Sequence, residues 1–211
     1  MTDDGSGEQE ATRERLVDAT IELLAKRGNH ALRLADVAKE TGVAVSTIYA
    51  HFRDRTDLVA AARLKQFKAH AELALRTVDL GLESTGDFEE VSDVVFWPSL
   101  RSPDEEESRV RRWDRIEAMA DSRHIPELYD QLTELQSALS LRATELVERA
   151  QQRDWIDPAL DPKAVALLTQ VLRLGLALWD ISGEAQPSQE AWYQLMHRLL
   201  VALGPPDQSS E

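Results

Sequence analysis

The chain of 211 residues contains no cysteine at all. A disulfide framework, a thiolate nucleophile and a Cys-ligated zinc are therefore excluded, and the composition fits a reducing compartment. Signals for β-structure are also lacking. No window alternates apolar and polar residues, and neither Asn-Gly nor Asp-Gly marks a hairpin. Long apolar runs are missing too. The most apolar stretch, Ala164 to Trp179, is interrupted by Gln170 and Arg173 and is too short for a bilayer, which needs about 20 apolar residues. The polar, acidic start from Met1 to Glu10 has no apolar segment, so it does not read as a signal peptide and a cytoplasmic location is expected. Phosphate loops, G-x-S-x-G elbows and H-E-x-x-H pairs are all absent, and no enzyme is expected. Asp121, His124 and Glu127 have helical spacing for a metal. The same trio reads more simply as a solvated helix end, so neither a metal nor a cofactor is assigned.

What is present is helical periodicity, with 43% hydrophobic and 29% charged residues, an ordinary balance for a globular chain. The pattern predicts an all-α fold of about nine helices. A first helix runs from about Thr12 to Arg27, with Leu16, Ala19, Leu23 and Leu24 on one face and Gly28 as its cap. Short helices follow at Leu34–Thr41, ended by Gly42, and at Val45–His51. Asp54 caps a long helix from Thr56 to about Leu80, striped by Leu58, Phe67, Ala71, Ala74 and Val78. Ser102-Pro103 followed by Asp104 to Glu107 marks another start. Pro126 opens a helix ending near Asp154, Asp161-Pro162 one closing at Gly183, and Ser188 a last one with Trp192, Leu195, Leu199 and Leu203 in a stripe.

The net charge of −14 is unevenly spread. Residues 11–65 carry 10 Lys/Arg against 7 Asp/Glu, whereas residues 66–211 carry 14 against 27. Only the first part is suited to meet a polyanion. Within it, Ala38, Gly42, Val43 and Ile48 have the spacing of a helix-turn-helix. Ala38 is small where a second helix crosses, Gly42 suits a turn of positive φ, and Val37, Val43 and Ile48 face inward.

Gly42 to Leu58 (GVAVSTIYAHFRDRTDL), together with Thr12 to Gly28, resembles the signature of the TetR family of bacterial regulators. The close likeness covers about residues 12–60. It implies residues 1–10 as a disordered acidic tail, a DNA-binding domain at 11–57 with its helix-turn-helix at 34–53, a ligand-binding and dimerisation domain at 58–204, and a disordered tail at 205–211. It also implies that Val45–His51 enters the major groove, with phosphate contacts from Thr47, Tyr49, His51 and Arg55. The chemistry agrees. Thr47 and Tyr49 are neutral donors to phosphate, and Arg55 adds charge at a helix start. Val45, Ser46 and Ala50 are the short side chains left for base edges. Arg33 stands where the family carries Ser or Thr, so it keeps a phosphate contact but cannot cap. Ala44 replaces the usual Ser before the recognition helix, and Val45 a common Lys.

Beyond residue 58 the resemblance implies that the last two helices pair with a second copy, which places Leu168, Leu172, Trp192, Leu195 and Leu199 at a homodimer interface. Phe96, Trp97, Trp113, Met119, Tyr129, Leu172, Leu176 and Trp179 are candidates to line a cavity for a small apolar or aromatic effector, though each fits core packing equally well. The function expected is a ligand-responsive repressor of an inverted-repeat operator. The competing reading is a helical interaction or ligand-carrier protein of the same fold that no longer binds DNA.

Overall fold

The computed structural model describes residues 4–84, 106–183 and 187–205, and every element among them is helical. Contacts along the chain divide it into two compact units, one made of residues up to Lys68 with Glu117–Thr133, the other of Ala69–Ile116 with Glu134 onward.

In the first unit, α1 spans Asp4–Ala31. Residues 4–10, expected in a disordered tail, are exposed turns of this helix. Gly28 does not simply end α1: its φ of 71° and ψ of 168° break the helix there, and a further turn runs to Ala31. Helices α2 (Leu34–Thr41) and α3 (Val45–His51) have the expected limits. Gly42 between them adopts φ 72°, ψ 19°, the left-handed conformation an L side chain resists. Helix α4 (Arg55–Ser84) starts on Asp54, whose carboxylate accepts from the Asp57 backbone N–H at 2.9 Å. Leu16, Val17, Leu23, Leu24 and Leu32 of α1 and its turn bury against Val37, Ile48, Phe52, Leu58 and Val59. Full burial of each such side chain contributes about 1.5–3 kcal/mol.

This unit also encloses a charge. Arg63, only 1% exposed, donates through Nε to Asp121 Oδ2 at 3.1 Å and through Nη2 to Glu117 Oε2. Both acids belong to α5 (Glu106–Ser122). Asp121 Oδ1 also accepts from Asn29 Nδ2 at 2.9 Å. Helix α6 (Pro126–Gln152) opens in this unit with Leu128 and Leu132 buried.

In the second unit, Leu146, Val147 and Ala150 of α6 pack with Trp155, Ile156, Val165 and Ala166. Asp161 caps α7 (Pro162–Gly175), accepting from Lys163 N at 2.8 Å and Ala164 N at 3.1 Å. The single helix expected from Asp161 to Gly183 is in fact interrupted at Leu176 and resumes as the short α8 (Ala177–Asp180). Ser188 caps α9 (Gln189–Val201), accepting from Ala191 N at 3.2 Å. Leu176, Met196 and Leu200 form a smaller core with Leu172, Trp179 and Trp192, the two indoles meeting edge to face at 4.9 Å. Arg112 and Asp180, both buried, close this unit with a two-pronged ion pair at 2.6 and 3.2 Å.

Replacing Arg63 with Met leaves Asp121 without its buried countercharge. The expected loss is about 2–3 kcal/mol in a denaturant titration, below the full penalty of a wholly buried pair because both acids keep some solvent. A variant as stable as the parent would show that this ion pair does not hold the unit together.

Candidate nucleic-acid interface

Helix α3 is short, and its orientation is set from one side. Ile48 is fully buried and Val43 and Phe52 pack beside it, so the opposite face is forced outward. That face carries Val45, Ser46, Tyr49 and Ala50, all exposed, with Tyr49 57% exposed. Thr47 and His51 are half-buried at its margins. An exposed tyrosine on a seven-residue helix contributes little to a fold, and its hydroxyl is free to act as a donor. Phe52 lies in the core, with the Arg13 guanidinium 5.1 Å from its ring centroid.

Neither α2 nor α3 has a side-chain cap. Arg33 and Ala44 occupy the two N-cap positions with extended backbones (φ −124°, ψ 143° and φ −74°, ψ 151°) and offer no oxygen to the first turn. The bare N–H groups at the start of α3 and the exposed Arg33 guanidinium are therefore available to an anion.

Arg55 behaves differently from expectation. Its Nε donates to Leu32 O at 2.9 Å, and its Nη2 donates to Asn29 O and to Asn29 Oδ1 at 2.6 Å. A guanidinium beside carbonyls left over after α1 satisfies them before it reaches outward. Three of its bonds are thus internal, leaving only the Nη1 pair to point elsewhere. Asn29, unremarked in the sequence, is the residue that joins Arg55 to Asp121. Its only sequence signal is an amide side chain directly after the Gly28 break. Arg53 is likewise engaged, pairing with Glu127 at 3.2 Å and Asp57 at 3.5 Å. Asp121 and Glu127, weighed as metal ligands, are occupied by Arg63 and Arg53.

The candidates for an effector cavity fare unevenly. Phe96 and Trp97 lie outside the described residues, as does the Ser102-Pro103 helix start. Met119 and Tyr129 are exposed, at 46% and 57%, because the inward positions of their helices are taken by Ala118, Ile125 and Leu128. Neither lines a cavity. Trp113 is half-buried, while Leu172, Leu176 and Trp179 belong to the small core of the second unit. The stripe expected along α9 is split. Leu195 and Leu199 face outward, whereas Trp192 and Leu203 pack inward with Met196 and Leu200.

The family model of the bacterial regulatory proteins of the tetR family matches residues 16–62, the segment that builds this interface. The chain belongs to the TetR family. It is 35% identical over 63 residues to the HTH-type transcriptional repressor KstR of Rhodococcus jostii, a match covering 30% of each chain. The match thus spans under a third of that relative's length. Along nearly the whole chain the fold resembles two solved structures. One is a putative TetR-family transcriptional regulator from Rhodococcus sp. (25% identity, TM-score 0.64, 92% of this chain and 98% of that one). The other is a putative TetR-family regulator from Mesorhizobium loti (16% identity, TM-score 0.70, 92% and 96%).

Ala44→Ser places a hydroxyl on the extended N-cap of α3 and should stabilise the protein by about 0.5–1 kcal/mol. Thermal melting measures it, and a fall in Tm would mean that the hydroxyl does not reach the first turn.

Proposed function

We propose that the protein is a ligand-responsive transcriptional repressor that binds an inverted-repeat operator as a homodimer and is released by a small effector held in its second unit. The observation that carries this reading is the outward face of α3: Val45, Ser46, Tyr49 and Ala50 held clear of the core by fully buried Ile48. The likeness to the repressor KstR lies in this N-terminal portion and supports the same role.

In this reading Tyr49, Thr47, His51 and Arg33 contact phosphates, and Val45, Ser46 and Ala50 meet base edges. Arg55 acts on DNA through position. By tying Asn29 and Leu32 to the start of α4 it fixes where α2 and α3 sit, and its Nη1 group adds charge. Homodimerisation is supported by α7 and α9. Leu167, Leu168 and Val171 on the first and Leu195 and Leu199 on the second are each 44–60% exposed. Two adjacent apolar helices with outward leucines are suited to a second copy of themselves, which would bury both sets at once.

A shift assay with the DNA upstream of the protein's own gene tests the operator reading. Tyr49→Phe should weaken binding to all sequences about equally, and Ser46 or Ala50 substitutions should change which sequence is preferred. Salt dependence should be steep for the parent. No shift at low salt with any upstream fragment would favour the carrier reading.

Light scattering tests the interface. Leu168→Asp and Leu199→Asp alter positions half open to solvent, so the fold should survive while the dimer dissociates, because a charge buried between copies is costly. Dimers persisting in both variants at micromolar concentration would place the interface elsewhere.

A further inference from the structure

The second unit has a feature at odds with an effector that is only apolar. Three of its helices are crossed by a chain of polar side chains. Arg115 on α5 donates through Nη2 to Gln136 Oε1 on α6 at 2.7 Å. Gln136 Nε2 donates in turn to Gln170 Oε1 on α7 at 2.7 Å and to Ser140 Oγ at 3.0 Å. Gln170 is fixed further by its own bond to Ala166 O at 3.3 Å. One turn beyond Gln170, on the same side of α7, stands Arg173. Among the described residues its guanidinium makes a long bond at 3.4 Å, to the Thr169 carbonyl of its own helix.

All five side chains are half-buried, and Arg173 interrupts what is otherwise the most apolar stretch of the sequence. Burial pushes the guanidiniums of Arg173 and Arg115 down, and the positive charge of Arg115 lowers Arg173 further. Guanidinium does not give up its proton in a protein. Two like charges therefore remain close together at a poorly solvated place, a cost that a bound anion would remove. The planar fork of arginine suits a carboxylate, which can take two parallel N–H bonds. The relay through Gln136 and Gln170 holds the first guanidinium and the α7 turn in register before any ligand arrives.

We infer that Arg173 and Arg115, set by Gln136 and Gln170, form the anion-binding end of the effector site, and that the effector is an organic carboxylate. This rests on the reading of the second unit as a sensor and deepens it by naming the ligand's charge. The apolar surface of the α5–α7 helices takes the rest of such a molecule, and its carboxylate distinguishes it from neutral compounds of the same shape.

The test compares benzoate, phenylacetate and octanoate with their uncharged amides, at matched ionic strength in chloride, by thermal melting and calorimetric titration of the full chain. At least one carboxylate should raise Tm where its amide does not. Arg173→Gln should weaken that binding by about tenfold or more, with Arg173→Lys in between, because lysine keeps the charge and loses the fork. In chloride alone Arg173→Gln should melt no lower than the parent, since a like-charge pair has been relieved. Amides that match their carboxylates, no shift from any of the three acids, or carboxylate binding retained in Arg173→Gln would each overturn the inference. Should Arg173→Gln fail to fold, that also overturns it, because the pair would then stabilise the protein. Operator binding is scored separately by a shift assay. Intact DNA binding with no carboxylate effect removes only the anion site, and absent DNA binding with a carboxylate effect removes only the repressor reading.

Discussion

The first unit depends on how one buried cation is compensated. A guanidinium that is 1% exposed cannot shed its charge, so the fold must bring carboxylates to it. Glu117 and Asp121, one turn apart on α5, meet that need. Asp121 has a second oxygen free, and Asn29 donates to it. Asn29 in turn offers its two oxygens to Arg55. A single connected network thus fastens the end of α1, the start of α4 and the last turns of α5. Apolar packing holds Leu16, Ile48 and Leu58 together without a preferred direction. The polar network adds direction, because each bond in it has a fixed donor and acceptor geometry.

Much of this fold was legible in the sequence, for local reasons. The limits of α2 and α3 follow from Gly42, whose positive φ ends one helix, and from the inward spacing of Val37, Val43 and Ile48. The caps at Asp54, Asp161 and Ser188 were readable because a capping oxygen acts on N–H groups two or three residues away. The outward face of α3 was readable for the same reason as its buried one. What escaped was long-range. Arg55 had every local mark of a phosphate ligand, and only the return of Asn29 and Leu32 to its side reveals its internal partners. Arg63 resembled any helix-surface arginine until two acids more than 50 residues away closed over it. The break at Leu176 carries no proline, so the unbroken apolar pattern read as one helix. Met119 and Tyr129 were chosen by size, although burial of Ala118, Ile125 and Leu128 turns both outward.

Charge explains why a chain of net −14 suits a polyanion at one end. Many of its acids are occupied at home. Asp57 and Glu127 hold Arg53, Asp18 holds Lys65, and Asp180 holds Arg112. Around α3 the outward side chains are neutral or cationic, and the uncapped helix start adds the positive end of a dipole. Screening at physiological salt limits exposed charges to about 8 Å, so acids beyond that distance oppose DNA only weakly.

The same reasoning bears on how a ligand signal would travel. Helix α5 carries Arg112 and Arg115 toward its start and Glu117 and Asp121 toward its end. Arg115 and Asp121 are six residues apart, about 9 Å along the axis at 1.5 Å per residue. A carboxylate bound at Arg115 and Arg173 draws on one part of this helix, while Arg63 and Asn29 hold the other. A small rotation of α5 that improves the first set of contacts strains the second, since salt bridges at 2.7–3.1 Å tolerate little displacement. Asn29 then transmits the strain to Arg55 and so to the position of α2 and α3. The ligand can shift operator affinity only by the difference in its own affinity for the two arrangements, and operator DNA must weaken ligand binding by the same factor. A hundredfold release corresponds to about 2.7 kcal/mol, the scale of one or two charge-assisted hydrogen bonds. The polar chain from Asp121 to Arg55 consists of such bonds, so the energy needed to move the recognition helix is of the same size as the energy that holds it.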